Sequence, residues 1–145
     1  MIHVPHVDYT AVVAGAAFNQ VIAAIIYGPL FGRQWLAAMK KDRNGDQWMG
    51  KHASKSFPPG LFFYEFLLNL CKAWVTGLFL NLTQAQTMSQ AAQLGTLLFV
   101  GIIFTTVTSE LMWEKRTMDL QWFKYMSGFV STVLMCCVMH IVGTA

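Results

Sequence analysis

One ammonium, one carboxylate and a few amides stand in this chain where apolar residues otherwise dominate. Glu65, Asn69, Lys72 and Thr76 are spaced by four, three and four residues in a run made mostly of Leu, Phe, Ala and Val. At 100° per residue these four fall within about 60° of one another on a helix, so they form one stripe, expected to face inward. A charge at membrane depth costs about 2.5–3.5 kcal/mol on insertion scales, and such a residue is therefore paired, hydrated or used. Three readings stay open. Asn69 could bridge Glu65 and Lys72 in an internal polar seam that glues helices together. The stripe could line a proton or ion path or a small ligand site. Lys72 could instead meet a partner subunit or snorkel toward a lipid head group. Asn19 and Gln20 lie halfway along another apolar run, at the same depth, and one of their amides is expected to bond the Lys72 ammonium.

Catalytic or metal chemistry finds little else to stand on. His3 and His6 make an H-x-x-H pair with no third ligand nearby in sequence, short of what a zinc site requires. Cys71, Cys136 and Cys137 sit inside apolar runs and read as small core hydrophobes. The adjacent pair Cys136 and Cys137 also points about 100° apart on a helix. No Ser/His/Asp set, glycine-rich phosphate loop or well-placed carboxylate pair occurs, so the chain is expected to be no enzyme and to hold no cofactor and no metal. Asn81-Leu82-Thr83 matches a glycosylation sequon, but it lies too near a helix end to be used.

The elements that must position these residues follow from the composition, 55% hydrophobic with 12% charged residues. That balance departs from soluble proteins toward membrane proteins. The apolar run from Tyr9 to Gly28 has about 20 residues, which at about 1.5 Å each cover about 30 Å, one hydrocarbon core. Gly28-Pro29 breaks it. The expected architecture is an all-α membrane protein with four transmembrane helices at about 9–28, 59–82, 91–112 and 120–142, plus a short interfacial helix at about 30–39. Residues 1–145 are expected to form a single four-helix transmembrane domain with a polar basic loop at about 40–57. Gly101, Thr105 and Ser109 on the third span, and Ser127, Gly128, Ser131 and Thr132 on the fourth, have the small-residue spacing of close helix packing. That packing lies within the bundle or, alternatively, against a second copy or another subunit.

Charge sets the topology. Arg33, Lys40, Lys41, Arg43, Lys51, Lys55, Lys115, Arg116 and Lys124 all fall on the side of the 1–2 and 3–4 links, and the opposite side has no Lys or Arg. The positive-inside rule then puts both termini on the side opposite the basic loops, in a bacterial inner membrane or a mitochondrial inner membrane. Arg33, Lys40, Lys41 and Arg43 are candidate contacts for anionic lipid head groups, at about 1 kcal/mol per basic residue, or else a solvated topology signal alone. The lipid bilayer, bound phospholipids and other membrane subunits are the expected partners. Nucleic acid is not, because the net charge of +3 comes from a few clusters and not from a spread basic face.

The segment Tyr27-Gly28-Pro29-Leu30-Phe31-Gly32-Arg33-Gln34-Trp35 resembles the signature of a group of small, mostly bacterial four-helix membrane proteins catalogued as a domain of unknown function. Leu111-Met112-Trp113-Glu114-Lys115-Arg116, followed by a helix containing Tyr125 and Gly128, supports the likeness. The resemblance implies an architecture and no chemistry. Lacking catalytic sets but carrying two small-residue faces and five tryptophans, the chain reads as a non-catalytic accessory or scaffold subunit of a larger membrane complex. An energy-converting, respiratory complex is the leading candidate. The alternative is a small transporter or channel with its polar path along the second helix, which would have to oligomerise because four helices barely enclose a pore.

Overall fold

A carboxylate starts the first helix: Asp8 accepts hydrogen bonds from the Thr10 amide at 2.9 Å and the Thr10 hydroxyl at 2.7 Å. These bonds satisfy donors that no preceding turn can reach, and the Thr10 hydroxyl first, then its amide, hold the Asp8 carboxyl below its ordinary pKa. The computed structural model describes residues 4–43 and 59–144. Most of the basic loop foreseen at about 40–57, with Trp48, Lys51 and Lys55, lies outside the described residues, as does His3.

Helix α1 (Tyr9–Ile25) runs into a π-helical turn, Ile26–Leu30, that contains Pro29. Proline has no N–H to give and its ring collides with the carbonyl four residues back. The wider turn takes up the conflict, and Phe31 N–H closes onto Ile26 O, five residues back, at 3.0 Å. Gly32 then opens α2 (Gly32–Asp42), where a Cβ would stand 2.8 Å from the Tyr27 carbonyl oxygen, so only glycine fits this corner unmoved. Helix α2 buries Ala38, and Trp35 and Met39 of this helix pack with Phe31 just before it against Leu120, Phe123 and Met126.

Helix α3 (Pro59–Leu82) begins on a proline, which the first turn tolerates because its amide would have no intrahelical partner. Gln84 in the left-handed region (φ 51°) stops it, and Ala85 N–H returns to Leu80 O at 3.2 Å. A capping box starts α4 (Met88–Leu98): Gln90 N–H donates to Thr87 Oγ1, and Thr87 N–H to Gln90 Oε1. The third span continues through a second π-helical turn, Phe99–Phe104, into α5 (Thr105–Trp113). Lys115, also left-handed (φ 51°), turns the chain into α6 (Met118–Thr144).

Among the described residues four helices are long and apolar enough to cross a membrane: Tyr9–Leu30, Gly60–Leu82, Met88–Trp113 and Met118–Gly143. They correspond to the four expected spans. Helix α6 is the hub, lying against α1, α4 and, less extensively, α3, while α3 packs chiefly on α1. The main core joins Val7, Ala11, Val12, Ala16, Ala73, Leu80, Ala91, Leu94, Met135 and Met139. All these residues lie in the half of the bundle that holds both chain termini. Toward the basic end α3 stands apart, with Leu61, Phe62, Phe63, Tyr64, Leu67 and Leu68 exposed. Water would penalise that surface, but lipid does not.

At the basic end polar latches replace close packing. Asp42, its side chain 3% exposed, accepts from Arg116 Nη1 at 2.9 Å and from the Thr117 amide at 2.9 Å, tying the end of α2 to the α5–α6 link. Burial works against the charged form of Asp42. The Thr117 amide and the Arg116 guanidinium outweigh it and hold the carboxyl below its ordinary value. Lys41 and Asp119 pair at 2.6 Å in the open, and Glu110 of α5 pairs with Lys124 of α6.

Candidate functional site

The only polar cluster that bridges transmembrane helices at mid-depth is amide-based among the described residues. Asn69 on α3 accepts from Asn19 Nδ2 at 2.6 Å and donates from its own Nδ2 to Gln20 Oε1 at 2.7 Å. Asn19 and Asn69 are buried, and Gln20 is partly so. One side chain thus clamps two successive residues of α1, using both its donor and its acceptor. In lipid no water competes for these groups, which is why short polar residues serve as helix glue.

This differs from the expected pairing, in which Asn19 or Gln20 bonds the Lys72 ammonium. A neutral amide offers Asn19 and Gln20 a matching donor and acceptor at once, and an ammonium offers donors alone. Lys72 is half-buried, and among the described residues no carboxylate lies within ion-pair distance of it. Thr76 is buried, but its hydroxyl donates at 2.9 Å to the Lys72 carbonyl of its own helix and links nothing else. Glu65, expected to face inward, is exposed. Asn69 meets Asn19 and Gln20, so in this antiparallel pair Glu65 is level with about Ala23, where α3 begins to stand apart from the bundle.

Two buried acceptor-capable atoms in this region have no protein partner: Asn19 Oδ1 and Thr132 Oγ1 on α6. Above the clamp, toward the terminal end, a cavity of about 280 Å³ is lined by His6, Asp8, Gly77, Asn81, Met139 and His140. Asn81 of the sequon donates its amide hydrogen to His6 O at 2.6 Å. Among the described residues no group of three or more His, Cys, Asp or Glu could hold a metal ion. The cysteines are free thiols, Cys136 buried, Cys137 partly so and Cys71 exposed.

The small-residue faces divide. Gly128 does pack within the bundle: a Cβ there would stand 2.8 Å from Ile103 Cγ2. Ser127 hydrogen-bonds Tyr27 through the two hydroxyls at 2.7 Å, and Ser131 donates to Gly128 O of its own helix. Gly101, Thr105 and Ser109 do not pack against the described residues, since all three are exposed and a Cβ on Gly101 would meet nothing within 4 Å. The π turn at Phe99–Phe104 inserts an extra residue and rotates everything after it by about 100°, which carries this face away from α6. The close approach of the third span is made one stretch earlier, at Gly95, where a Cβ would lie 2.7 Å from the Val133 Cα.

Sequence reasoning missed the contacts that tie α5 to α6. Glu110, half-buried Lys124, buried Gln121 and the hydroxyl pair Thr108–Tyr125 (2.8 Å) line one interhelical seam. The signal was available, because Glu110 and Lys124 stand equidistant, seven residues each, from Thr117 in the tight link. The four candidate head-group residues are all exposed, Arg33, Lys40 and Lys41 on α2 and Arg43 just after its end.

Residues 10–140 match the family described as "Protein of unknown function (DUF1761)". A UPF0591 membrane protein of the fission yeast Schizosaccharomyces pombe is 25% identical over 131 residues, which covers 90% of this chain and 87% of the relative. No solved structure matches the chain. The family match takes in nearly all of the four membrane-spanning helices, and this multi-pass membrane protein belongs to the DUF1761 family.

Proposed function

We propose that the protein is a non-catalytic subunit or scaffold of a larger membrane assembly, docked through its third span. One observation carries this reading: Gly101, Thr105 and Ser109 give α5 and the turn before it a small-residue face that none of the described residues covers. Small faces in lipid let a second helix approach closely, and dispersion and backbone contacts then drive association. The bundle's own close approaches are made elsewhere, at Gly95 and Gly128. Native electrophoresis of gently solubilised membranes tests the reading. The parent chain should migrate with a larger assembly, and Gly101→Leu should release it as a free bundle of unchanged thermal stability. A parent chain that migrates alone refutes the proposal.

A second reading rests on a different alignment. Along the covered side of α3, Asn81 and Gly77 border the cavity at the terminal end, with Thr76, Lys72 and Asn69 below them in turn. In an oligomer such a ladder would carry protons or small ions. Proteoliposomes that show proton or ion flux, lost in Lys72→Met, support that reading, and their silence under either gradient removes it.

A further inference from the structure

A groove of about 930 Å³ lies along the outside of the bundle at its basic end, bounded by α2, the start of α6 and the π turn of the third span. Its size is at the upper end of ligand sites, which run from about 300 to 1,000 Å³. One wall is α2, where Ala37 and Ala38 leave room that longer side chains would fill. The floor is aromatic: Phe99 and Phe104 project from the π turn with ring centroids 6.4 Å apart, and Trp122 and Phe123 face them from α6.

The groove is polar at one end only. Lys41 and Asp119 stand at its mouth as an exposed ion pair. Arg33, exposed and one turn before Ala37, occupies the same edge of α2 eight residues from Lys41, about 12 Å away along the axis. From Trp113, at the basic end of the third span, Phe104 lies about 14 Å deeper, near the middle of a 30 Å hydrocarbon core, and Phe99 about 21 Å deeper, past the middle but short of the far boundary. A rim with two cations, Arg33 and Lys41, against the one carboxylate of Asp119, leading into an aromatic trough that stops short of the far boundary, has the polarity and direction of one lipid molecule entering from the basic side. A transmembrane helix of a partner would cross the whole thickness and find no matching trough beyond Phe99.

We infer that this groove binds one anionic phospholipid, its phosphate between Arg33 and Lys41 and one acyl chain laid over Phe104, Phe99 and Trp122. The site is independent of the scaffold reading, because the α5 face at Gly101 and Ser109 does not line the groove. The π turn acquires a use here as well: it carries the Phe99 and Phe104 rings on a segment whose register differs from that of the helices on either side.

Native mass spectrometry of the whole chain in detergent, titrated with phosphatidylglycerol and phosphatidylcholine of matched acyl chains, tests this. One phosphatidylglycerol should be retained in preference to phosphatidylcholine. Arg33→Gln with Lys41→Gln should cut that preference about thirtyfold, the effect of two juxtamembrane cations. Ala37→Trp, at an exposed wall position, should block retention of both lipids with thermal stability unchanged. Quenching of tryptophan fluorescence by acyl-brominated phosphatidylglycerol should fall in Trp122→Phe. Equal retention of the two lipids by the parent chain, or undiminished retention in Ala37→Trp, overturns the proposal. So does a parent chain found as a dimer that Ala37→Trp dissociates, because a second copy would then fill the groove.

Discussion

Replacing Asn69 by Leu isolates the amide clamp. The substitution removes two interhelical hydrogen bonds, from Asn19 Nδ2 at 2.6 Å and to Gln20 Oε1 at 2.7 Å. Hydrogen bonds between membrane helices average about 0.6 kcal/mol and reach about 1.7, so the pair contributes roughly 1–3 kcal/mol. Asn19 suffers further. Its Oδ1 already lacks a partner, and losing Asn69 leaves the whole buried amide unpaired, at a cost of about 1–3 kcal/mol. Allowing for overlap between the two effects, Asn69→Leu should destabilise the bundle by about 2–4 kcal/mol. Adding Asn19→Leu should return part of that loss, since removing both partners costs less than stranding one. The assay is unfolding in detergent micelles followed by tryptophan fluorescence, with Trp74 on α3 as a local reporter. Thr76→Val is the control, because its hydroxyl bonds only its own helix, and a change within about 0.5 kcal/mol is expected. Strictly additive single and double substitutions, or an Asn69→Leu chain as stable as its parent, would refute the clamp.

Three other outcomes follow from the same geometry. Gly95→Leu should destabilise by about 3 kcal/mol or more in the same unfolding assay, since its Cβ alone would overlap the Val133 backbone, while Gly101→Leu should leave stability within about 0.5 kcal/mol. The Asp42 carboxyl, held below its ordinary value by Thr117 and Arg116 against its burial, contributes stability that is complete above the unfolded pKa near 3.9 and fades as pH falls through the lower folded value. Thermal melts across pH 2–5 should therefore lose less stability on acidification in Asp42→Asn than in the parent chain. Lys72→Met should raise stability toward SDS unfolding, by at most about 2.5–3.5 kcal/mol, because an intramembrane charge without a carboxylate partner is removed. A loss of stability would instead mean that the ammonium is satisfied inside the fold.

The number, length and type of the crossings were legible because they depend on runs of about 20 apolar residues, a property that lipid enforces locally. The interfacial helix was legible for a similar reason, with Pro29 ending one helix and the mixed stretch after it too short to cross. What failed was extrapolation over distance. A constant 100° per residue placed Gly101, Thr105 and Ser109 toward the bundle, and an inserted π turn rotated them out. The same rule put Glu65 on one stripe with Asn69 but said nothing about where α3 parts from its neighbours. Depth matching brought Asn19 and Gln20 to the level of the stripe, yet chose Lys72 over Asn69, a difference of three residues that only the crossing of α1 and α3 decides. The π turn at Ile26–Leu30 carried a mark in Pro29, whereas Phe99–Phe104 contains no proline and only Gly101 as a weak hint.

Two kinds of cohesion divide the molecule along the membrane normal. Near the termini, glycine and alanine allow backbones to close on one another, and the core of Ala11, Ala16, Ala73 and Ala91 with Met135 and Met139 is tight enough that added atoms collide. Near the basic end that contact opens, and directional polar links take over: Asp42 to Arg116 and Thr117, Glu110 to Lys124, Tyr27 to Ser127. The Asn19–Asn69–Gln20 clamp sits at the boundary between them, the last point at which α3 is held to α1 by hydrogen bonds before its first turns stand free. Dispersion packing does not tolerate small displacements, because a gap of less than an ångström forfeits much of each contact. Hydrogen bonds and ion pairs at a wet boundary exchange more readily with water. The groove beside α2, the exposed face of α5 and the uncovered start of α3 all open from the half that is held by polar links or not held at all. A tight terminal half therefore holds a basic half whose surfaces stay open, and the proposed lipid and the proposed partner helix would both meet the protein there.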